Sequence, residues 1–139
     1  MHIQKVTVHT DGGSRGNPGH AAIGVVIRNA ETSEVIFEHG SYIGITTNNV
    51  AEYSALVKAL ETAKDLGAQA VAVYMDSELI VRQMQGRYKI KEPTLQVLAA
   101  KVIQLKNNFT EVTFEHVRRE FNKDADRMVN QALDAQAGS

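Results

Sequence analysis

The feature that most constrains this chain is the order in which two periodicities follow one another. Residues 6–11 (Val-Thr-Val-His-Thr-Asp) alternate apolar and polar and stop at Gly12-Gly13. A period of two marks a half-buried strand. Residues 21–28 are mostly apolar, with Ile23, Val25 and Ile27 on one side, and residues 34–45 carry Val35, Ile36, Phe37, Tyr42 and Ile43. The turn-forming stretch 29–33 between them predicts a hairpin. From residue 50 the period lengthens. Tyr53, Leu56, Val57, Leu60 and Ala63 recur at helical spacing up to Leu66, and Gly67 stands where helices usually end. Residues 71–75 form a short apolar strand segment. Asp76-Ser77 is placed to cap a helix that lasts to Gly86. Pro93 opens another, through Leu95, Leu98, Val102 and Leu105. Residues 111–117 alternate again. A last helix runs from about Lys123, with Val129, Ala132 and Leu133 on one stripe.

The order β-β-β-α-β-α-α-β-α predicts an α/β fold built on a mixed sheet. Strands one, four and five are expected to run parallel, joined by right-handed helical crossovers. A chain of 139 residues is long enough to bury a core, and one domain over residues 1–139 is expected. The glycine-rich piece 12–19 reads as a loop, and residues 135–139 as a frayed end.

Four acidic residues stand where folding alone does not favour them. Asp11 ends the first strand and Asp76 the fourth. If those strands are parallel neighbours, both carboxylates emerge at the carboxyl edge of the sheet, where open α/β sheets bind ligands. Glu52 shares a helical stripe with Leu56, Ala59 and Ala63, and Asp126 shares one with Val129 and Leu133. A carboxylate on the core side of a helix is costly unless it is paired or binds a metal. The chain has no cysteine, which excludes a disulfide scaffold, a thiolate metal site and a cysteine nucleophile. An all-oxygen cluster instead suits a hard cation such as Mg²⁺ or Mn²⁺. Each residue also has a purely structural alternative. Asp11 could open a glycine turn, Asp76 could cap a helix, Glu52 could complement a helix N-terminus, and Asp126 could pair with Arg118 or Arg119. On spacing alone the reading stops at a Mg²⁺ site suited to phosphate chemistry. The glycine-rich piece is neither a P-loop, lacking Gly-Lys-Ser/Thr, nor a calcium loop, lacking its acids.

Charge adds little. The net charge of −1 gives no basic excess of the kind that marks many nucleic-acid binders. Two basic groups, Arg82/Arg87/Lys89/Lys91 and Arg118/Arg119/Lys123/Arg127, read as solvated faces. The longest apolar run, residues 21–27, is too short to cross a bilayer, and the opening Met1-His2-Ile3-Gln4-Lys5 has no signal-peptide core. A cytoplasmic protein without membrane association is expected.

Four segments carry a family resemblance. Thr10-Asp11-Gly12-Gly13-Ser14-Arg15-Gly16-Asn17-Pro18-Gly19, Thr46-Thr47-Asn48-Asn49-Val50-Ala51-Glu52-Tyr53, Asp76-Ser77-Glu78-Leu79-Ile80-Val81 and Asn122-Lys123-Asp124-Ala125-Asp126-Arg127-Met128-Val129-Asn130 resemble, in order, the four motifs of type 1 ribonuclease H. The resemblance implies the ribonuclease H-like fold, a five-stranded mixed sheet in order 3-2-1-4-5 flanked by helices. It implies endonucleolytic hydrolysis of the RNA strand of RNA–DNA hybrids by two metal ions, leaving 5′-phosphate and 3′-hydroxyl ends. It makes Asp11, Glu52, Asp76 and Asp126 the catalytic, metal-binding carboxylates. Gly12, Ser14, Asn17, Thr47, Asn48 and Asn49 become the substrate-binding residues. The implied cofactor is Mg²⁺, two ions with substrate, with Mn²⁺ as the alternative. The implied partner is the hybrid, with double-stranded RNA as a broader substrate, and a monomer is expected.

The chain departs from the family pattern in three places. Many members have a histidine shortly before the fourth carboxylate; here Val117-Arg118-Arg119-Glu120-Phe121-Asn122 has none. Glu120 is the candidate general acid in its place, while His116 falls in a strand and reads as structural. The long basic protrusion is absent, since Arg87-Tyr88-Lys89-Ile90-Lys91 leads almost directly to Pro93, and no separate hybrid-binding domain is expected. Fewer neutralised phosphates imply weaker, salt-sensitive hybrid binding. Glu92 stands where relatives often have asparagine, and an acid there repels phosphate. Two other classes compete with a hybrid nuclease. One is a duplex-binding module of the same fold that cuts weakly. The other is a Mg²⁺-dependent phosphatase for small molecules, for which no phosphate-gripping Lys/Arg motif is present.

Overall fold

The computed structural model describes residues 3–138; the expectations for Met1, His2 and Ser139 lie outside the described residues. Five strands form one sheet: β1 (Lys5–Gly16), β2 (Gly19–Asn29), β3 (Val35–Thr46), β4 (Ala70–Met75) and β5 (Glu111–His116). Their order is β3-β2-β1-β4-β5. β1 and β2 pair antiparallel; β2 and β3 form the expected hairpin, and β4 and β5 join β1 in parallel, as the element order predicts.

The first strand is longer than its alternation predicts. Gly12 to Gly16 are not a loop but the outer half of β1, paired residue for residue with β2 as far as Gly16 opposite Gly19. Glycine carries no side-chain pattern, so the sequence periodicity ends where the ladder does not. The reason for glycine is crowding. A methyl group at Gly12 would overlap the backbone of Ala51, and one at Gly24 the carbonyl of Ala125.

The helices are α1 (Asn48–Asp65), α2 (Glu78–Met84), α3 (Pro93–Lys106) and α4 (Lys123–Ala137). α1 packs on β1 and β2, with α3 against its far side; α4 packs on β1, β2 and β3. Alternation along β1 separates the two faces. Val6 and Val8 join the main core with Tyr53, Leu56 and Leu60, all fully buried, whereas Gly13 meets Val129 of α4. Each large apolar side chain removed from water contributes roughly 1.5–3 kcal/mol, so α1 is the anchor of the sheet. The α4 face is held by a small cluster of Ala22, Val129 and Leu133. α1 ends as expected, with Gly67 at φ +78°, a conformation open to glycine. The C-terminal residues are not frayed from 135 onwards; α4 continues to Ala137. Among the described residues, no helix is long and apolar enough to cross a membrane.

Candidate active site

Thr10 of β1 lies opposite Met75 of β4, so Asp11 and Asp76 leave the sheet side by side at its carboxyl edge. α1 brings Glu52 to the same point. Asp11, Glu52 and Asp76 each offer a carboxylate oxygen, all within 4.8 Å of one another. Asp11 and Glu52 are buried and Asp76 is half-buried. Asp126, in the first turn of α4, lies within hydrogen-bonding reach of Asp11 and lines the same cavity. All four predicted carboxylates therefore converge, three in a tight group and Asp126 beside it. The cavity is open and about 430 Å³ in volume.

The ordinary structural roles are filled by other groups. Ser77, not Asp76, caps α2, its Oγ accepting the Ile80 N–H at 3.4 Å. Glu52 accepts the Gly12 N–H at 2.7 Å, reaching across to β1 instead of serving its own helix. Asp126 accepts from Asn130 at 3.3 Å, while Arg118 pairs with Glu120. No cation forms an ion pair with the three grouped carboxylates among the described residues.

The electrostatic consequence is large. Burial, followed by the charges of Glu52, Asp76 and Asp126, pushes the Asp11 carboxyl up to about 9. Burial and Asp76 push Glu52 up to about 7, against the opposing hydrogen bond from Gly12. Burial raises Asp76 as well, offset by the side-chain amide of Asn122 and the charge of Arg119. Asp11 and Glu52 have no cation among the causes that set their pKa, and only Arg119 acts on Asp76. Three oxygens at this spacing fit a hard divalent cation, and nothing softer is in reach.

Of the predicted substrate-binding residues, Ser14, Asn17 and Asn48 are joined by hydrogen bonds. Thr47 caps α1, its Oγ1 accepting the Val50 N–H at 3.2 Å. Asn48 Oδ1 accepts from the Ser14 N–H at 2.8 Å and the Ser14 hydroxyl at 3.2 Å, and the Asn48 N–H donates to Asn17 Oδ1 at 3.1 Å. The β1–β2 hairpin is thereby tied to the start of α1. Gly12, Ser14, Asn48 and Asn49 line the carboxylate cavity. Asn17, Thr47 and Asn49 line a second cavity of about 460 Å³ beside it. Glu92 lines that second cavity too. It caps α3 by accepting from Thr94 and Leu95, and those hydrogen bonds lower its pKa, so it stays charged.

Glu120 lies in the single turn of 3₁₀ helix at Arg119–Phe121, half-exposed, and faces a separate cavity of about 140 Å³ with His9 and Arg28. It is not in the carboxylate cavity. The neighbouring Arg119 is, as an exposed cation at the edge of the open cavity; Arg118 and Arg127 keep to surface ion pairs. His116 is exposed at the end of β5. Sequence reading also missed Asn122. Its side chain is 1% exposed, and its Nδ2 donates to Thr10 O at 2.9 Å. Only its place four residues before Asp126 could have drawn attention to it.

Residues 9–132 match the family model described as reverse transcriptase-like. The chain is similar to the Bifunctional protein Rv2228c of Mycobacterium tuberculosis, 47% identical over 135 residues, which cover 97% of this chain and 37% of that protein. It thus spans little more than a third of that relative. It is similar to the Ribonuclease HI of Halobacterium salinarum, 38% identical over 94% of this chain and 65% of the relative. Among solved structures, LC11-RNase H1 in complex with an RNA/DNA hybrid superposes with a TM-score of 0.89 at 50% identity, covering 96% of this chain and 99% of that one.

Proposed function

The chain belongs to the type 1 ribonuclease H family, and from that premise we propose that it is a metal-dependent endoribonuclease that hydrolyses the RNA strand of RNA–DNA hybrids. The observation that carries the reading is the uncompensated carboxylate cluster at the carboxyl edge of the sheet, in an open cavity bordered by hydrogen-bonding side chains. Asp11, Glu52 and Asp76 hold divalent metal, Mg²⁺ or Mn²⁺, and Asp126 completes the set from α4. Two such ions, held by these carboxylates with substrate present, would supply activation of a water and neutralisation of charge at the departing 3′-oxygen, chemistry that would leave 5′-phosphate and 3′-hydroxyl ends.

The protein's own share is placement. Gly12 donates to Glu52 and fixes its carboxylate over β1. Asn122 and Arg119 favour the charged form of Asp76 against the effect of burial. Ser14, Asn17, Thr47, Asn48 and Asn49 present hydroxyls and amides to the sugar–phosphate backbones. A 2′-hydroxyl met there distinguishes RNA from DNA. Residues 1–139 act as one catalytic unit, a cytoplasmic monomer.

The test is cleavage of an end-labelled RNA strand annealed to DNA, with Mg²⁺, Mn²⁺ or EDTA, beside RNA–RNA and DNA–DNA duplexes. Metal-dependent internal cuts in the hybrid, lost in Asp76→Asn, are expected. Cuts in the RNA–RNA duplex would widen the substrate class. A folded protein that cuts nothing at low salt would refute the nuclease in favour of a duplex-binding module.

A further inference from the structure

On the α4 side of β1, Asp11, Gly13 and Arg15 follow one another at every second residue. Along α4, Asp126, Asn130 and Asp134 follow at every fourth. Both spacings put the three residues of each element on one face. The two rows run together: Asp126 stands by Asp11, Val129 of α4 touches the Gly13 position, and Arg15 Nη2 meets Asp134 Oδ1 at 2.6 Å. The two rows border the carboxylate cavity, which Gly13, Val129 and Asn130 also line. Asp11 and Asp126 stand at one end of the rows and the Arg15 guanidinium at the other. Asp11 and Arg15 are four strand residues apart, so the two ends are separated by roughly 13 Å.

Arg15 lines the carboxylate cavity, and its side chain is 46% exposed. Its carboxylate partner is 69% exposed and lies outside the metal-binding group. An ion pair that wet holds its partners weakly. A phosphate accepts charge-assisted hydrogen bonds from a guanidinium as a carboxylate does.

We propose that Arg15 is a substrate-positioning residue that binds a backbone phosphate of the nucleic acid to one side of the cleaved bond, and that Asp134 occupies it in the free protein as a competing anion. The inference rests on the nuclease reading. Entry of the substrate exchanges one anion for another at Arg15, so Asp134 weakens binding by occupying the contact. Arg15 does not touch the reacting atoms. Its loss is expected in KM and in salt dependence, with kcat preserved.

The experiment measures hybrid binding by fluorescence anisotropy in EDTA across a salt series, with KM and kcat in Mg²⁺, for the parent, Arg15→Gln, Asp134→Asn and the double variant. Arg15→Gln is expected to weaken binding and raise KM, and to make the log–log salt slope shallower by about 1. Arg15→Lys is expected to restore part of both. Asp134→Asn is expected to tighten binding, and to have no effect once Arg15 is glutamine. An unchanged salt slope in Arg15→Gln overturns the proposal, as does weaker binding in Asp134→Asn or an undiminished Asp134 effect in the double variant. Circular dichroism of each variant separates these outcomes from misfolding. Failure of the parent to bind or cut hybrid at any salt refutes the nuclease reading itself, and the Arg15 contact with it.

Discussion

Replacing Glu52 by Gln isolates the price of an unmetallated carboxylate cluster. Gln keeps the volume and the Oε1 acceptor that receives the Gly12 N–H at 2.7 Å, so the change removes the charge and alters only the side-chain hydrogen bonds to Asp11 and Ser77. Glu52 titrates at about 7 in the folded chain against 4.5 unfolded. A carboxyl raised in this way contributes its full share of stability below about pH 4.5 and loses it as pH rises through about 7. At about 1.36 kcal/mol per pH unit, the loss by pH 8 is about 3 kcal/mol. Asp11 adds to the effect, because Glu52 is the leading charge among those that raise it. The expected result in EDTA is that Glu52→Gln and the parent melt together near pH 4.5 and diverge as pH rises. For a domain of this size, Glu52→Gln should melt roughly 10 °C higher at pH 8. Circular dichroism melts from pH 4.5 to 9 measure this. Millimolar Mg²⁺ should stabilise the parent more than the variant, closing the gap, because a ligand that binds only the folded form adds stability by mass action. Parallel melting curves across the pH range, or a variant less stable than the parent at pH 8 in EDTA, would refute the claim that Glu52 is held against its electrostatic preference.

Gly12→Ala should destabilise by about 3 kcal/mol or more, since the new methyl meets backbone of Ala51 that cannot turn aside; a urea midpoint close to the parent's would contradict the packing described for α1. Asn122→Ala should cost about 1–3 kcal/mol by leaving Thr10 O without its buried donor, and should reduce cleavage through Asp76; full activity in a folded variant would remove Asn122 from the site. Glu120→Gln should leave the pH–rate profile unaltered, because Glu120 faces the smaller cavity with His9; a displaced acidic or basic limb would restore it as the general acid.

The element order, the β2–β3 hairpin and the parallel run of β1, β4 and β5 were legible because the two hydrophobic periods are distinct and each element is short, whereas the order β3-β2-β1-β4-β5 was implied only by the family resemblance. The ends were less legible. β1 runs on to Gly16 on backbone hydrogen bonds alone, and those leave no mark in residue type. The carboxylates were legible for a different reason. Glu52 and Asp126 break an apolar stripe, and a charged residue on the core side of a helix is informative wherever it occurs. Their neighbours carried no such signal. Arg119 belongs to a cluster whose other members are ordinary surface cations, and Asn122 acts through Thr10, 112 residues away in sequence. Asp76 and Ser77 were equal candidates for the cap of α2, and only the hydrogen bond to Ile80 separates them.

The glycines join these two halves. In the sequence, Gly12 and Gly13 look like turn residues, and Gly24 and Gly40 like interruptions of apolar strands. In the fold three of them are the places where a helix lies directly on the sheet: α1 over Gly12, and α4 over Gly24 and Gly40. Two helices on opposite faces can bring Glu52 and Asp126 to one aspartate at the sheet edge only if both ride close to the backbone. Side chains at those positions would hold each helix at the wider spacing of ordinary packing. A displacement of a few ångströms would leave three oxygens that share a 4.8 Å neighbourhood too far apart to take one cation. The bare strip of sheet is therefore what turns four separately placed carboxylates into a single site.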